Sequence, residues 1–157
     1  MEFLVWLQSR PLAVWVAEST SLFAYPTFLL FHTIGLAVVV GANVVLDLRV
    51  LGAGRRIPLD ALRKIFSPMW VGFALNAASG AVLFAASAEF TGVKPIFYVK
   101  LGSILAAMIV MSLIRRSVFG VSRTPDRPVP NAAKAMALAS LLLWAGAITA
   151  GRYTAYM

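Results

Sequence analysis

Residues 28–52, FLLFHTIGLAVVVGANVVLDLRVLG, form the first of four apolar runs, each close to the ~20 residues that cross a hydrocarbon core as a helix. A chain of 157 residues that is 61% hydrophobic and 13% charged has too little polar surface to shield four such runs from water, so its solvent is lipid. A transmembrane β-strand would need only ~10 residues but strict alternation, which none of the runs shows. The expected fold is therefore an all-α membrane protein, a four-transmembrane-helix up-down bundle. Its spans fall at about 25–46, 70–87, 95–114 and 135–152, in a single membrane domain covering 1–157.

The N-terminal stretch carries Glu2 early and lacks the Lys/Arg-rich start of a signal peptide, so it is read as retained. Within 4–19 an interfacial helix is expected. Pro11 suits a first turn, the helix runs to about Glu18, and Trp6 and Trp15 sit at headgroup level. Ten of the fourteen Lys/Arg residues occupy two loops: Arg49, Arg55, Arg56, Arg63 and Lys64 in one, Arg115, Arg116, Arg123, Arg127 and Lys134 in the other. An even number of spans puts both loops on one side, which the positive-inside rule makes cytoplasmic. The expected location is thus a bacterial inner membrane, with both termini and the loop SAEFTGVK periplasmic. The segment SRTPDRPVPN reads as a solvated linker, since its prolines forbid helix.

The formal charge of +8 lies in short clusters between apolar runs, without the context that base reading needs. Membrane lipids with anionic headgroups are the expected partners and nucleic acid is excluded. With no cysteine, disulfides, thiolate metal sites and iron–sulfur ligation are also excluded. Small residues crowd the first, second and fourth spans and let backbones approach closely. They serve a bundle interior, a homo-oligomer, a larger membrane complex or a flat cofactor cavity equally well.

Polar side chains at membrane depth are costly and mark sites. His32, the one histidine, stands about seven residues into the first span, roughly 10 Å down at ~1.5 Å per residue. Lys100, about five residues into the third span, stands roughly 8 Å down from the same side. A neutral imidazole can ligate haem iron, and the ammonium can pair with a propionate or substrate carboxylate, or act as a base. Gly35, one turn after His32, would let a macrocycle lie on the backbone. The alternative is that His32 clips two helices by a hydrogen bond while Lys100 snorkels to the headgroups. At the other end, Asp47 and Arg49 lie on different faces of the first helix, each meeting the next loop or another helix. Asn43 and Asn76, read at one depth, are expected to hydrogen-bond between helices. The methionines are scattered and read as filling rather than copper ligands. No phosphate-binding loop, Ser/His/Asp set, paired carboxylates or HExxH motif is present.

Several of these residues carry a resemblance. Pro26, then His32, Gly35, Leu36 and Ala37, then Asp47, Leu48 and Arg49 mark the first span. Gly72, Phe73, Gly80, Leu83 and Phe84 mark the second, and Phe97 and Lys100 the third. This pattern resembles a group of small bacterial inner-membrane proteins classed as a domain of unknown function, with Leu29 standing where that group often has a glutamate. More distantly the plan is similar to CopD-type copper-resistance proteins and to membrane protoporphyrinogen oxidases. That likeness implies haem b on His32 as metal ligand, with Lys100 catalytic or holding substrate or propionate. A single histidine rules out a bis-His haem within one protomer. The resulting expectation is a cofactor site of His32, Gly35 and Lys100, supported by structural polar residues Asn43, Asp47, Arg49 and Asn76. The other possibility is a non-catalytic membrane module that self-associates or serves a larger complex.

Overall fold

The computed structural model describes residues 1–54, 56–120 and 129–154. Two short helices, α1 (Glu2–Gln8) and α2 (Pro11–Glu18), precede the long α3 (Tyr25–Leu51). A turn of helix, α4 (Leu59–Leu62), and a 3-10 turn lead into α5 (Phe66–Ala86). The brief α6 (Ala88–Thr91) precedes α7 (Pro95–Ile114), which continues as a π-turn over Arg115–Phe119, and α8 (Asn131–Thr154) follows. Four helical stretches, Tyr25–Leu51, Leu59–Ala86, Pro95–Phe119 and Asn131–Thr154, are long and apolar enough to cross a membrane. This is a multi-pass membrane protein.

Local chemistry sets the helix ends. Pro26 and Pro95 lie in first turns, where the missing N–H is not needed. Gly52, at φ 110°, ends α3 in the left-handed conformation, with Gly52 N–H donating to Arg49 C=O and Ala53 N–H to Leu48 C=O. The interfacial helix expected over 4–19 is two helices. Pro11 forces Arg10 into an extended conformation (φ −69°, ψ 142°), which breaks the helix one residue before it. Most of the proline-rich linker, with Arg55, Arg123 and Arg127, lies outside the described residues.

The helices are arranged in the order α5, α3, α8, α7: α3 lies against both α5 and α8, and α7 against α8. The fourth span therefore closes the bundle against α3 and α7. Helices α5 and α7, by contrast, are not closely apposed. Their facing sides leave a split along the bundle, and the cavities described below lie in it. The core fills the end bearing the basic loops, where Leu46, Val50, Phe66, Met69, Met111, Ile114 and Trp144 are buried together. At the opposite end, α1 covers α6 through Leu4 against Gly92 and through Gln8 Oε1, which accepts from Glu89 N–H at 2.9 Å.

Candidate functional site

The α3–α5 crossing is built on glycine. A Cβ on Gly35 would stand 2.6 Å from Asn76 N and 2.8 Å from Gly72 O, and one on Gly72 would stand 2.7 Å from Val38 Cγ1. Backbones this close let polar groups reach across. His32 Nδ1 lies 2.9 Å from the Asn76 carbonyl oxygen, and Asn76 Nδ2 donates to the His32 carbonyl at 2.8 Å. Ser79 Oγ, 3.4 Å from Nδ1, already donates to Leu75 C=O at 2.6 Å.

This pairing fixes the imidazole. A carbonyl only accepts, and its 2.9 Å contact is shorter than the 3.3 and 3.4 Å at which Asn76 Nδ2 and Ser79 Oγ approach Nδ1, so Nδ1 carries the hydrogen and the neutral ring keeps its lone pair on Nε2. Nε2 makes no hydrogen bond among the described residues. The Cε1–Nδ1 edge of the ring abuts Gly80, where a Cβ would come within 2.9 Å of Cε1 and 3.1 Å of Nδ1.

Beyond the ring is a cleft of two adjoining cavities, about 390 and 470 Å³, that share His32, Gly80, Phe84, Phe97 and Lys100. Phe84 of α5 and Phe97 of α7 stack across the split, 4.8 Å between centroids and 5° between planes. Lys100 lines both cavities together with His32. Its stem lies against Gly151 of α8, where a Cβ would stand 3.5 Å from Cδ and Cε, and its ammonium has no hydrogen-bond partner among the described residues. The first cavity runs on toward Tyr25, Phe90 and Thr154 at the end bearing the termini. The second opens through the α5–α7 split past Ala77, Tyr98 and Leu101.

The structure thus brings His32 and Lys100 to one cleft and Asn76 to His32. Gly35 does not line it. Its open face is taken by α5, and Gly80 is the glycine that the imidazole edge approaches. Asn76 does not share a depth with Asn43: it bonds His32, eleven residues earlier on α3, about 16 Å away at the helical rise. Ser79, Gly80, Phe84 and Phe97 complete the site. The first three follow Asn76 at +3, +4 and +8, on its side of the helix, which is a signal legible once Asn76 is known to face inward.

Asn43 and Asp47 belong to a second polar group, near the basic end. Both are fully buried, as is Ser140 of α8. Ser140 and the buried Trp144 stand one turn apart on α8, which packs against α3, as Asn43 and Asp47 stand one turn apart on α3. Asn43 Nδ2 donates to Val39 C=O at 2.7 Å, which turns Oδ1 away from its own helix. Asn43 Oδ1, both Asp47 oxygens, Ser140 Oγ and Trp144 Nε1 are buried without a hydrogen-bond partner among the described residues. Arg49 points elsewhere, its Nε donating to Ile57 C=O at 2.7 Å in the following loop.

Among the described residues no three His, Cys, Asp or Glu side chains gather to hold a metal ion. No curated protein matches the chain, and no solved structure does. Residues 6–157 match the model of a family of unknown function, DUF6644, and this four-helix membrane chain belongs to that family.

Proposed function

We propose that the cleft binds a flat hydrophobic ligand with an anionic edge, and that b-type haem is the ligand its residues fit best. One observation carries the reading: an imidazole whose Nδ1–H is tied to the Asn76 carbonyl leaves Nε2 unbonded beside a cleft that also contains a lysine. Metal-ligating histidines characteristically donate their other ring nitrogen to a carbonyl in this way, which fixes tautomer and ring angle. Haem requires one axial nitrogen from this chain, and His32 supplies it. Lys100 would pair with a propionate, and Phe84 and Phe97 would offer apolar faces. When bound, the group supplies one-electron redox chemistry. The residues of this chain orient it, exclude water and hold the anionic edge of a hydrophobic substrate. The proposal includes an inner-membrane location with both termini periplasmic, which puts the cleft in the outer leaflet.

The test is the absorption spectrum, oxidised and dithionite-reduced, of detergent-purified protein from haem-replete cells beside His32→Ala. A Soret band lost in the variant is the expected result, and a colourless parent protein sinks the haem assignment. The alternative is a non-catalytic module in a homo-oligomer or larger complex. It is favoured by Gly41 and Gly102, where an added Cβ would meet nothing within 4 Å. Bulky substitution there should then break assembly while His32→Ala leaves it intact.

A further inference from the structure

A separate pair of cavities lies at the basic end of the α5–α7 split. The first, of about 470 Å³, is lined by Arg63, Arg115 and Arg116 with Ser112, Phe66 and Phe119. Arg63 donates through Nη2 to the Phe119 carbonyl, and the Arg115 guanidinium sits 5.2 Å from the Phe66 ring centroid. These contacts orient the two side chains and use few of the five N–H donors each guanidinium carries. The acid beside them, Asp60, is 88% exposed and stands 3.6 Å from Arg63 Nε. Among the described residues, three cations beside one solvated carboxylate leave the cavity net positive.

The second cavity, of about 340 Å³, shares Ser112 and Arg116 with the first and continues along α7 past Leu113, Ile109 and Met108, with Trp70 of α5 opposite. Arg116, Ser112 and Met108 are successive turns of one helix face, so the path descends about 12 Å from the guanidinium into the apolar zone. Trp70, Ile109 and Leu113 are exposed on the outside of the bundle, where lipid lies.

We propose that these cavities together form a binding site for one anionic phospholipid. Its phosphate sits among Arg63, Arg115 and Arg116, and an acyl chain lies in the Trp70–Met108–Leu113 groove. Guanidinium groups suit phosphate oxygens through paired N–H donors, and a basic pocket between membrane helices is where anionic headgroups settle. The apolar continuation distinguishes a lipid from a free phosphate ion. The net positive lining distinguishes an anionic lipid from a zwitterionic one. The site is independent of the cleft at His32.

The experiment uses the full chain in detergent. Native mass spectrometry and thermal unfolding are followed with phosphatidylglycerol, phosphatidylcholine or inorganic phosphate added. Phosphatidylglycerol should be retained and raise the melting temperature, with binding weakened about fivefold for each arginine removed and so roughly 25-fold in Arg115→Ala/Arg116→Ala. Equal retention of both lipids overturns the proposal, as does stabilisation by inorganic phosphate equal to that by phosphatidylglycerol. Undiminished phosphatidylglycerol binding in the double variant also overturns it. Should that variant fail to fold, the wild type decides: its preference for phosphatidylglycerol over phosphatidylcholine should fall as salt is raised, and a salt-independent preference refutes the arginine cradle.

Discussion

Gly35→Ala tests whether the α3–α5 crossing holds the imidazole in place. The new Cβ would stand 2.6 Å from Asn76 N and 2.8 Å from Gly72 O, where ordinary contact begins at 3.4 Å. Both are backbone atoms of α5 and cannot swing aside, so the helices must part by about 0.8 Å at this level. That movement would stretch the His32 Nδ1 to Asn76 O separation from 2.9 Å to about 3.7 Å, beyond hydrogen-bond range. Overpacking costs about 1–3 kcal/mol, and the two interhelical bonds between His32 and Asn76 add about 0.6 kcal/mol each in a membrane bundle. Set against the helix-propensity gain of up to about 1 kcal/mol that alanine brings, the expected loss is about 1–4 kcal/mol. It can be read from reversible unfolding in mixed micelles of mild detergent and dodecyl sulfate. Gly41→Ala is the control, because its Cβ meets nothing within 4 Å and alanine is the better helix former, so it should be neutral or stabilising by up to about 1 kcal/mol. Equal stability of the two variants would refute the close crossing and the fixed tautomer that rests on it.

Gly80→Ala should act on the site more than on the fold. Its Cβ meets the edge of a side chain rather than backbone, so the imidazole turns into the cleft, stability falls by less than about 2 kcal/mol, and any Soret band of the parent is lost or shifted. Asp47→Asn removes a buried carboxylate whose oxygens have no hydrogen-bond partner among the described residues. It should leave unfolding stability unchanged or raised, and a loss above about 3 kcal/mol would reveal a stabilising ion pair instead. A reporter fused at the C-terminus should read periplasmic and one inserted between residues 121 and 128 cytoplasmic; the reverse would move the His32 cleft to the inner leaflet.

The candidate site was partly legible in the chain. His32 and Lys100 could be set side by side because depth along a helix follows from residue count alone, and both spans start from the same end. Which face each presents does not follow from a count. From the sequence Gly35 fits a floor for a macrocycle, since a glycine one turn from a histidine serves a ligand or a neighbouring helix equally well. Residue counting puts Asn76 at the depth of Asn43, because a small shift in where a span begins moves every residue in it. Ser140 and Trp144 carried no signal of their own: a serine and a tryptophan in an apolar helix fit a lipid face as readily as a buried one.

By itself the sequence determined the solvent, the number of spans and, at Pro26 and Pro95, where two of them begin, whereas the first span runs to Leu51 rather than to about 46. These depend on transfer free energy summed along the chain and on local backbone sterics, and neither needs a partner. The tertiary structure alone decided that α3 lies between α5 and α8, that α8 closes the bundle, and that α5 and α7 stand apart. In water an apolar stripe would have announced the inward face of each helix. In lipid both faces are apolar, so orientation is decided by the fit of glycines against backbone and by polar groups finding each other across the crossing.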